Sequence, residues 1–292
     1  MKVLCICLSS AIQRTLYFDS FNTKKVNRTQ KFIECAGGKA VNSSRVLEQL
    51  EKNSSAVLCP VGIKNKDTFI ELAAADKLNV IPVFTGGNTR MCWTIVTKKG
   101  ETTEVIADET VYSAQKSTEE EMVLTLKKII KDYDAVIFAG SCPACFSKEL
   151  PIKICTAIKE NNKILLVDFC GENLLNCLKF SNPDFIKINE EEFTATFEKK
   201  LSKKNLCNLS QILKSSIIVT RGKKSSLCAD KNDFYKIKSE KIVPVNTTAC
   251  GDSFNAGFIY EYLNTKNIEK SLNYGSHCAA LNALSLKPGS LS

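Results

Sequence analysis

Ala249, Cys250, Gly251 and Asp252 stand in immediate succession, small side chains ending in one carboxylate, and Phe254, Phe258 and Tyr262 then recur at every fourth position. That spacing predicts a helix opening near Gly251 with one apolar face turned to a core. The first N–H groups of a helix have no acceptor inside it, and the helix dipole adds positive potential, so this start suits a bound anion such as a phosphate. The lack of bulk at Ala249 and Gly251 lets the anion approach the backbone. Asp252 would repel that anion, and its place there makes chemical sense if it accepts a proton from an attacking hydroxyl. An ordinary turn with an N-terminal cap is the other reading of the same residues, and short Gly/Ala-rich turns recur by chance.

Such a site needs a scaffold. The chain of 292 residues has no Pro/Gly/Ser-rich linker, internal repeat or low-complexity tract, which predicts one domain over 1–292. Short β-rich runs at Val3–Leu8, Ala56–Val61, Ala135–Ala139, Ile164–Val167, Phe185–Ile188 and Ile217–Val219 alternate with helical periods at Ser117–Lys131, Lys148–Glu160 and Glu190–Lys199. That alternation is the pattern of an α/β fold with a parallel sheet, and nearly all-apolar strands imply that both sheet faces are covered. Two stretches depart from it, Arg14–Ile33 and Arg90–Ile106, the second flanking Lys99-Gly100. They predict a small antiparallel element with a hairpin over a tight turn, inserted at about 14–33 and 88–107 as a lid over the carboxyl ends of the strands.

Composition excludes several classes. The net charge of +9 comes from 40 basic and 31 acidic residues, with lysines spread along the chain. A nucleic-acid surface calls for clustered basic residues with interleaved aromatics, and only the lysines between 199 and 204 approach that; small anionic ligands fit better. Glu119-Glu120-Glu121 reads as the solvated start of a helix. Fourteen cysteines lie singly, several inside apolar runs (Cys5, Cys7, Cys59 and Cys92), as buried reduced thiols do, and no stretch has the length of a signal peptide or membrane span. A cytoplasmic location follows as an expectation. Cys142-Pro143-Ala144-Cys145 has redox spacing but not the early position of thioredoxin-like pairs, and with His277 the only histidine a zinc site is not expected.

Four motifs occur in register from end to end: Gly37-Gly38-Lys39-Ala40-Val41-Asn42, Gly140-Ser141-Cys142-Pro143, Asn189-Glu190-Glu191-Glu192 and Thr248-Ala249-Cys250-Gly251-Asp252. In this order they resemble the ribokinase-like (PfkB) carbohydrate kinases. The likeness is closest to the branch of 1-phosphofructokinase and tagatose-6-phosphate kinase, which opens with N-P-A-I-D-R-T and carries a T-R pair, D-x-S-G-x-x-L and K-P-N-x-x-E. The counterparts here are Ser9-Ser10-Ala11-Ile12-Gln13-Arg14-Thr15, Thr89-Arg90, Asp168 to Leu174 and Lys187 to Glu192. No Walker-type G-x-x-x-x-G-K-[ST] sequence is present.

The resemblance implies a ribokinase-like three-layer sandwich, a mainly parallel central sheet flanked by helices, with a small β-sheet lid. It implies an ATP-dependent kinase acting with Mg2+. Asp252 then matches the catalytic base, and the backbone of Ala249, Cys250 and Gly251 the anion hole for the transferred group. Gln13, Gly37, Gly38, Lys39, Asn42 and Arg90 fall at substrate positions. Asn189, Thr220, Gly222 and Asn282 fall at nucleotide positions, and Asn189 with Glu192 at the position that orders magnesium, largely through water. The implied partner is a small sugar or sugar phosphate, with neither nucleic acid nor membrane, and a homodimer through the lid is expected.

Departures from the pattern bear on the substrate. Gln13 stands where the family has an aspartate for sugar hydroxyls, preceded by Ser9 and Ser10 where it has Asn-Pro; Asn246 replaces an aspartate and Cys250 an alanine. An amide accepts less strongly than a carboxylate and can also donate. In the resembling branch a lid arginine meets the phosphate already on the substrate, so Arg90, whose guanidinium fork suits a phosphate, with Lys39 assisting, implies a substrate such as fructose-1-phosphate, fructose-6-phosphate or tagatose-6-phosphate. The alternatives are a kinase of a free sugar or sugar acid, of the ribokinase, fructokinase or ketodeoxygluconate kinase type, and a non-catalytic ligand-binding relative.

Overall fold

The structure, a computed structural model, describes residues 1–107, 112–113 (backbone) and 116–291. Along the chain, β1 (Val3–Ile6) precedes β2 (Ala11–Phe18), β3 (Phe32–Gly37) and α1 (Lys39–Leu50). Next come β4 (Ser55–Gly62), α2 (Lys66–Ala75), β5 (Val80–Gly87), β6 (Arg90–Thr97), β7 (Thr102–Ile106), β8 (Tyr112–Ser113) and α3 (Lys116–Ile129). After a 3-10 turn follow β9 (Ala135–Ala139), α4 (Glu149–Glu160), β10 (Ile164–Asp168), α5 (Gly171–Leu178), β11 (Phe185–Asn189) and α6 (Glu190–Phe197). The chain then runs through α7 (Lys203–Leu213), β12 (Ser216–Thr220), β13 (Ser226–Asp230), β14 (Asp233–Ile237), α8 (Cys250–Thr265) and α9 (Ile268–Ala283).

The central sheet has the order β14-β13-β12-β11-β10-β9-β1-β4-β5-β8. Every pairing from β5 through β12 is parallel, whereas the β12–β13, β13–β14 and β5–β8 pairings are antiparallel, so that β14 again runs in the sense of β12. Alternate side chains feed two cores. One face holds Ile6, Val136, Val167 and Ile188 against Met122, Ile154, Phe193 and Leu206 of α3, α4, α6 and α7. The other holds Cys5, Ile137, Leu166 and Phe185 against Val41, Phe69, Phe254, Phe258 and Leu272 of α1, α2, α8 and α9. This is the ribokinase-like α/β sandwich, and the predicted Phe254–Phe258–Tyr262 face packs edge-on against Phe185.

From β1 the chain adds strands outward through β4 and β5, then returns to β1's other side and continues from β9 to β12. The order reverses between β1 and β9, and ligands of such sheets bind beyond the carboxyl ends at that point. Residues 7–9, Gly140, Asp168 and Asn189 all emerge there.

The second sheet has the order β3-β2-β6-β7. It corrects the expectation of a purely antiparallel element: β2–β3 and β6–β7 are antiparallel hairpins, but β2 and β6, which join them, are parallel. Both strands leave the carboxyl side of the central sheet in the same sense, one after β1 and one after β5, so the pairing that unites them has to be parallel. The predicted tight turn stands between Thr97 and Glu101, with Gly100 at φ +77°. A further correction concerns Glu119. It is half-buried and reaches the segment that leads into α4, accepting from the Ser147 amide at 2.5 Å and hydroxyl at 2.7 Å, while Glu120 and Glu121 are exposed as expected.

Candidate active site

Helix α8 begins at Cys250 with Ala249 as its N-cap residue, held at φ 66° with no side chain capping the terminus. A left-handed conformation at a residue other than glycine costs free energy and is sustained only by its surroundings. Those surroundings are specific. The Cys250 amide donates to Thr247 O at 3.3 Å, Thr248 N–H to Asn246 Oδ1 at 3.0 Å, and Asn282 Nδ2 to Thr248 O at 2.8 Å. The amides of Gly251 and Asp252 have no acceptor in the preceding turn of helix. A Cβ on Gly251 would lie 2.6 Å from Lys187 Nζ, so a side chain there would have to displace the ammonium that Asp168 holds. A buried ammonium is therefore pressed against the anion cradle.

Asp252 is 6% exposed. Its Oδ2 accepts from Asn42 Nδ2 at 2.8 Å and its backbone carbonyl from Ser43 Oγ at 2.9 Å, so α1 and α8 meet at this carboxylate. Burial pushes the Asp252 carboxyl up to about 6, Asp168 adds to the rise, and Lys39, the Asn42 amide and Lys187 oppose it. Asp168, at the carboxyl end of β10, is fully buried and has the opposite fate. Burial alone would raise it, but Lys187 at 2.8 Å from Oδ2 and Lys39 at 2.8 Å from Oδ1 hold it well below the usual carboxylate range. Asn255 also donates to Asp168 Oδ2, at 2.7 Å, while its Oδ1 is buried without a partner.

Lys39 was expected beside Arg90 at the sugar end. The structure ties it instead to Asp168 and places its Nζ 4.0 Å from Glu192 Oε1, because a carboxylate as buried as Asp168 needs counter-charge from both sides. Arg90 opens β6. Its Nη2 donates to Ser9 O at 3.2 Å and its Nε is buried with no partner. Gln13 turns its amide onto Thr94 Oγ1 at 2.8 Å, and Arg14 pairs with Glu34. Gly38, at φ 116°, admits no side chain: a Cβ would lie 2.9 Å from Cys7 Sγ and 3.2 Å from Ser9 O. A Cβ on Gly37 would lie 2.8 Å from the Gln13 Cβ. The second sheet reaches across to the cradle through Glu104 of β7, which accepts from Thr248 Oγ1 at 3.3 Å.

Asn189 and Glu192 form a reciprocal capping box at the start of α6, each side chain accepting from the other's backbone N–H at 2.8 Å. That uses Asn189 Oδ1 and Glu192 Oε2 and leaves Glu192 Oε1 facing Lys39. Among the described residues no group of three or more His, Cys, Asp or Glu could hold a metal. One outward carboxylate oxygen suits a magnesium ion that keeps its waters and binds chiefly through nucleotide phosphates, and does not suit a cage made of protein ligands. Thr220 ends β12, and Gly222 follows in the left-handed region at φ 55°. Asn282, expected at the nucleotide, is fully buried. Its Nδ2 braces Thr248 O and Cys250 Sγ, and its Oδ1 accepts from Gly289 N at 2.7 Å, so its amide is engaged inside the protein.

Asp168, Lys187, Asn255 and Arg45 carry no separate role in the sequence motifs. Asp168 and Lys187 were visible as charges interrupting apolar strands, since a charge in a strand covered on both faces has to find a partner. In the redox-spaced pair burial pushes the Cys142 thiol up to about 12, and no disulfide is formed among the described residues. His277 pairs with Glu240 at 2.8 Å.

The sequence pattern of the family described as pfkB family carbohydrate kinase matches residues 2–291. The chain is 26% identical to the tagatose-6-phosphate kinase of Staphylococcus epidermidis over 297 residues, covering 98% of this chain and 94% of that protein. It is 26% identical to the 1-phosphofructokinase of Borreliella burgdorferi over 302 residues, covering 97% and 92%. Its fold is similar to that of phosphofructokinase-2 from Escherichia coli, solved with potassium, at a TM-score of 0.86 and 16% identity over 97% of this chain and 93% of that one. The Escherichia coli protein has also been solved in a tetrameric inhibited form.

Proposed function

The chain belongs to the pfkB family of carbohydrate kinases, and from that membership we propose that it phosphorylates a ketose phosphate with Asp252 as the base. The observation that carries the base assignment is the pairing of two buried carboxylates pushed in opposite directions, Asp168 down and Asp252 up to about 6. A group poised near neutrality is suited to accept and release a proton.

In this proposal the acceptor hydroxyl lies against Asp252, which takes its proton as the oxygen attacks the γ-phosphorus of ATP. The new O–P bond forms as the bond to ADP breaks. The amides of Gly251 and Asp252, with Lys187 behind them, stabilise the charge on the moving phosphoryl group. Glu192 Oε1 and Asn189 would hold the waters of a magnesium ion, whose contribution is to neutralise phosphate charge. Gly38, whose lack of a side chain is demanded by Cys7 and Ser9, brings its backbone to the proposed sugar end, and Thr220 and Gly222 border the nucleotide. Exposed Phe32, Val105 and Ile106 on the edge strands β3 and β7 support the proposed homodimer through this sheet. The absence of disulfides among the described residues supports a reducing, cytoplasmic setting.

Arg90 supports a substrate that already carries a phosphate. Its buried, unpartnered Nε is a charged donor without an acceptor, and a phosphate would supply one. Both relatives named above act, by their names, on phosphorylated ketoses or form them. Arg90→Ala is expected to raise the Michaelis constant for a ketose phosphate roughly ten- to a hundredfold and to change that for a free sugar little. Equal losses for both substrate types would remove Arg90 from phosphate recognition.

A further inference from the structure

The side-chain amide of Asn42 stands between a guanidinium and a carboxylate. Its Oδ1 accepts from Arg45 Nη1 at 2.8 Å and its Nδ2 donates to Asp252 Oδ2 at 2.8 Å. A guanidinium only donates and an ionised carboxylate only accepts, so these two neighbours leave the amide a single orientation.

Arg45 is itself held from several directions. It is 4% exposed, with Nε on Asp76 Oδ2 at 2.8 Å, Nη1 also on the Pro288 carbonyl at 3.1 Å, and Nη2 on the Ala36 carbonyl. Asp76 pairs on its other oxygen with Lys287. Gly289 closes the arrangement: at φ +73°, a Cβ there would lie 3.0 Å from Asn42 O and 3.2 Å from Arg45 Nη1. Its amide meanwhile donates to Asn282, which braces the cradle. A buried ion pair is often no more stable than apolar residues of the same volume, so stability alone is a poor account of this arginine. What it does uniquely is fix which end of Asn42 faces the base.

Resting on the reading of Asp252 as the base, we propose that Arg45 is a positioning residue for catalysis, locking the Asn42 amide so that its N–H grips the Asp252 carboxylate. Without Arg45 the amide can turn over and present its oxygen to Asp252, where two acceptors meet. That arrangement favours the protonated acid and releases the carboxylate from its aim. The other charges facing Asp252, namely Asp168, Lys39 and Lys187, are not contacted by Arg45. Those facing Arg45 are Asp76, Lys287 and the Cys35 thiol, on the side away from the base. Loss of a donor to the charged form raises a carboxyl's pKa, so the acid limb of the rate profile moves to higher pH.

The test compares Arg45→Gln and Arg45→Lys, each alone and with Asn42→Ala, for kcat and KM across pH with folding checked by thermal midpoint. Arg45→Gln is expected to lower kcat roughly ten- to a hundredfold, with its acid limb displaced upward, and Arg45→Lys to recover part of both. In the Asn42→Ala background either Arg45 substitution is expected to cost no more than about twofold further. Equal losses in both backgrounds with an unmoved acid limb would overturn the proposal. The carboxyl carbon resonance of Asp252, assigned by its absence in Asp252→Asn, reports the same coupling without turnover. If it titrates unchanged in both Arg45 variants, the coupling is wrong; if it moves while no sugar is phosphorylated, the coupling stands and the kinase reading fails.

Discussion

Two carboxylates at this site share ammonium neighbours yet differ in what they can do. Asp168 has lysines on both oxygens and a third donor in Asn255, so it stays charged and serves as an anchor. Asp252 has one donor and a buried setting, so its proton affinity lies near 6. Asp252→Asn keeps the size and the helix start while removing the base. It is expected to lower kcat by roughly two to four orders of magnitude with nucleotide affinity largely kept, as read by steady-state rates beside nucleotide titration. The sign of the pH dependence follows from the raised pKa: the carboxyl is protonated below about 6, so kcat/KM falls on the acid side through that value. A phosphorylated substrate also titrates near there, at about 6. The limb belongs to Asp252 only if it is missing from the residual activity of Asp252→Asn, and an unchanged limb in that variant would count against the assignment.

At the scale of elements, the direction in which Arg90 leaves the central sheet is set by one crowded crossing. Thr89 is fully buried between β5 and β6, with its hydroxyl accepting from Gly62 N at 2.9 Å and its backbone bonded on both sides to the Asn65 amide at 2.7 and 2.8 Å. A Cβ on Gly62 would fall 2.2 Å from the backbone at Asn88 and Thr89, which cannot move aside as a flexible side chain could. Gly62→Ala is therefore expected to destabilise the fold by about 3 kcal/mol or more and to weaken ketose phosphate binding by displacing Arg90. Chemical denaturation beside the Michaelis constant would read both effects, and a midpoint equal to wild type would show that the crossing yields easily. Much at this scale was legible in the sequence. The apolar runs of β1, β4 and β9 to β12 stand out because both faces of the sheet are covered, and the 3.6-residue period marks α3, α4 and α6. The hairpin of β13 and β14 was not read, since both strands are short and β14 mixes exposed charges with half-buried aromatics and lacks an apolar run. The parallel pairing of β2 with β6 joins residues nearly eighty positions apart, and no local pattern encodes it.

The whole molecule brings Asn42 to Asp252 across 210 positions and Lys39 to Asp168 across 129. The motifs named most of these residues, but not which would touch. Charge pairing settled that, because burying Asp168 calls for counter-charge from Lys39 and Lys187 together. Arg45 was invisible in the sequence for a related reason: an arginine on a helix reads as solvated until Asp76, Pro288 and Ala36 are folded around it. Arg90 is the proposed contact for a phosphate on the substrate, and Gln13 holds its amide on Thr94. The account stands on magnesium-dependent ADP release by the wild-type protein, measured side by side with fructose-1-phosphate, fructose-6-phosphate and tagatose-6-phosphate and with free fructose, ribose and ketodeoxygluconate. At least one ketose phosphate is predicted to give a kcat/KM roughly tenfold or more above every free sugar, the equivalent of one charge-assisted contact; a free sugar or sugar acid turning over better than all three ketose phosphates would contradict it.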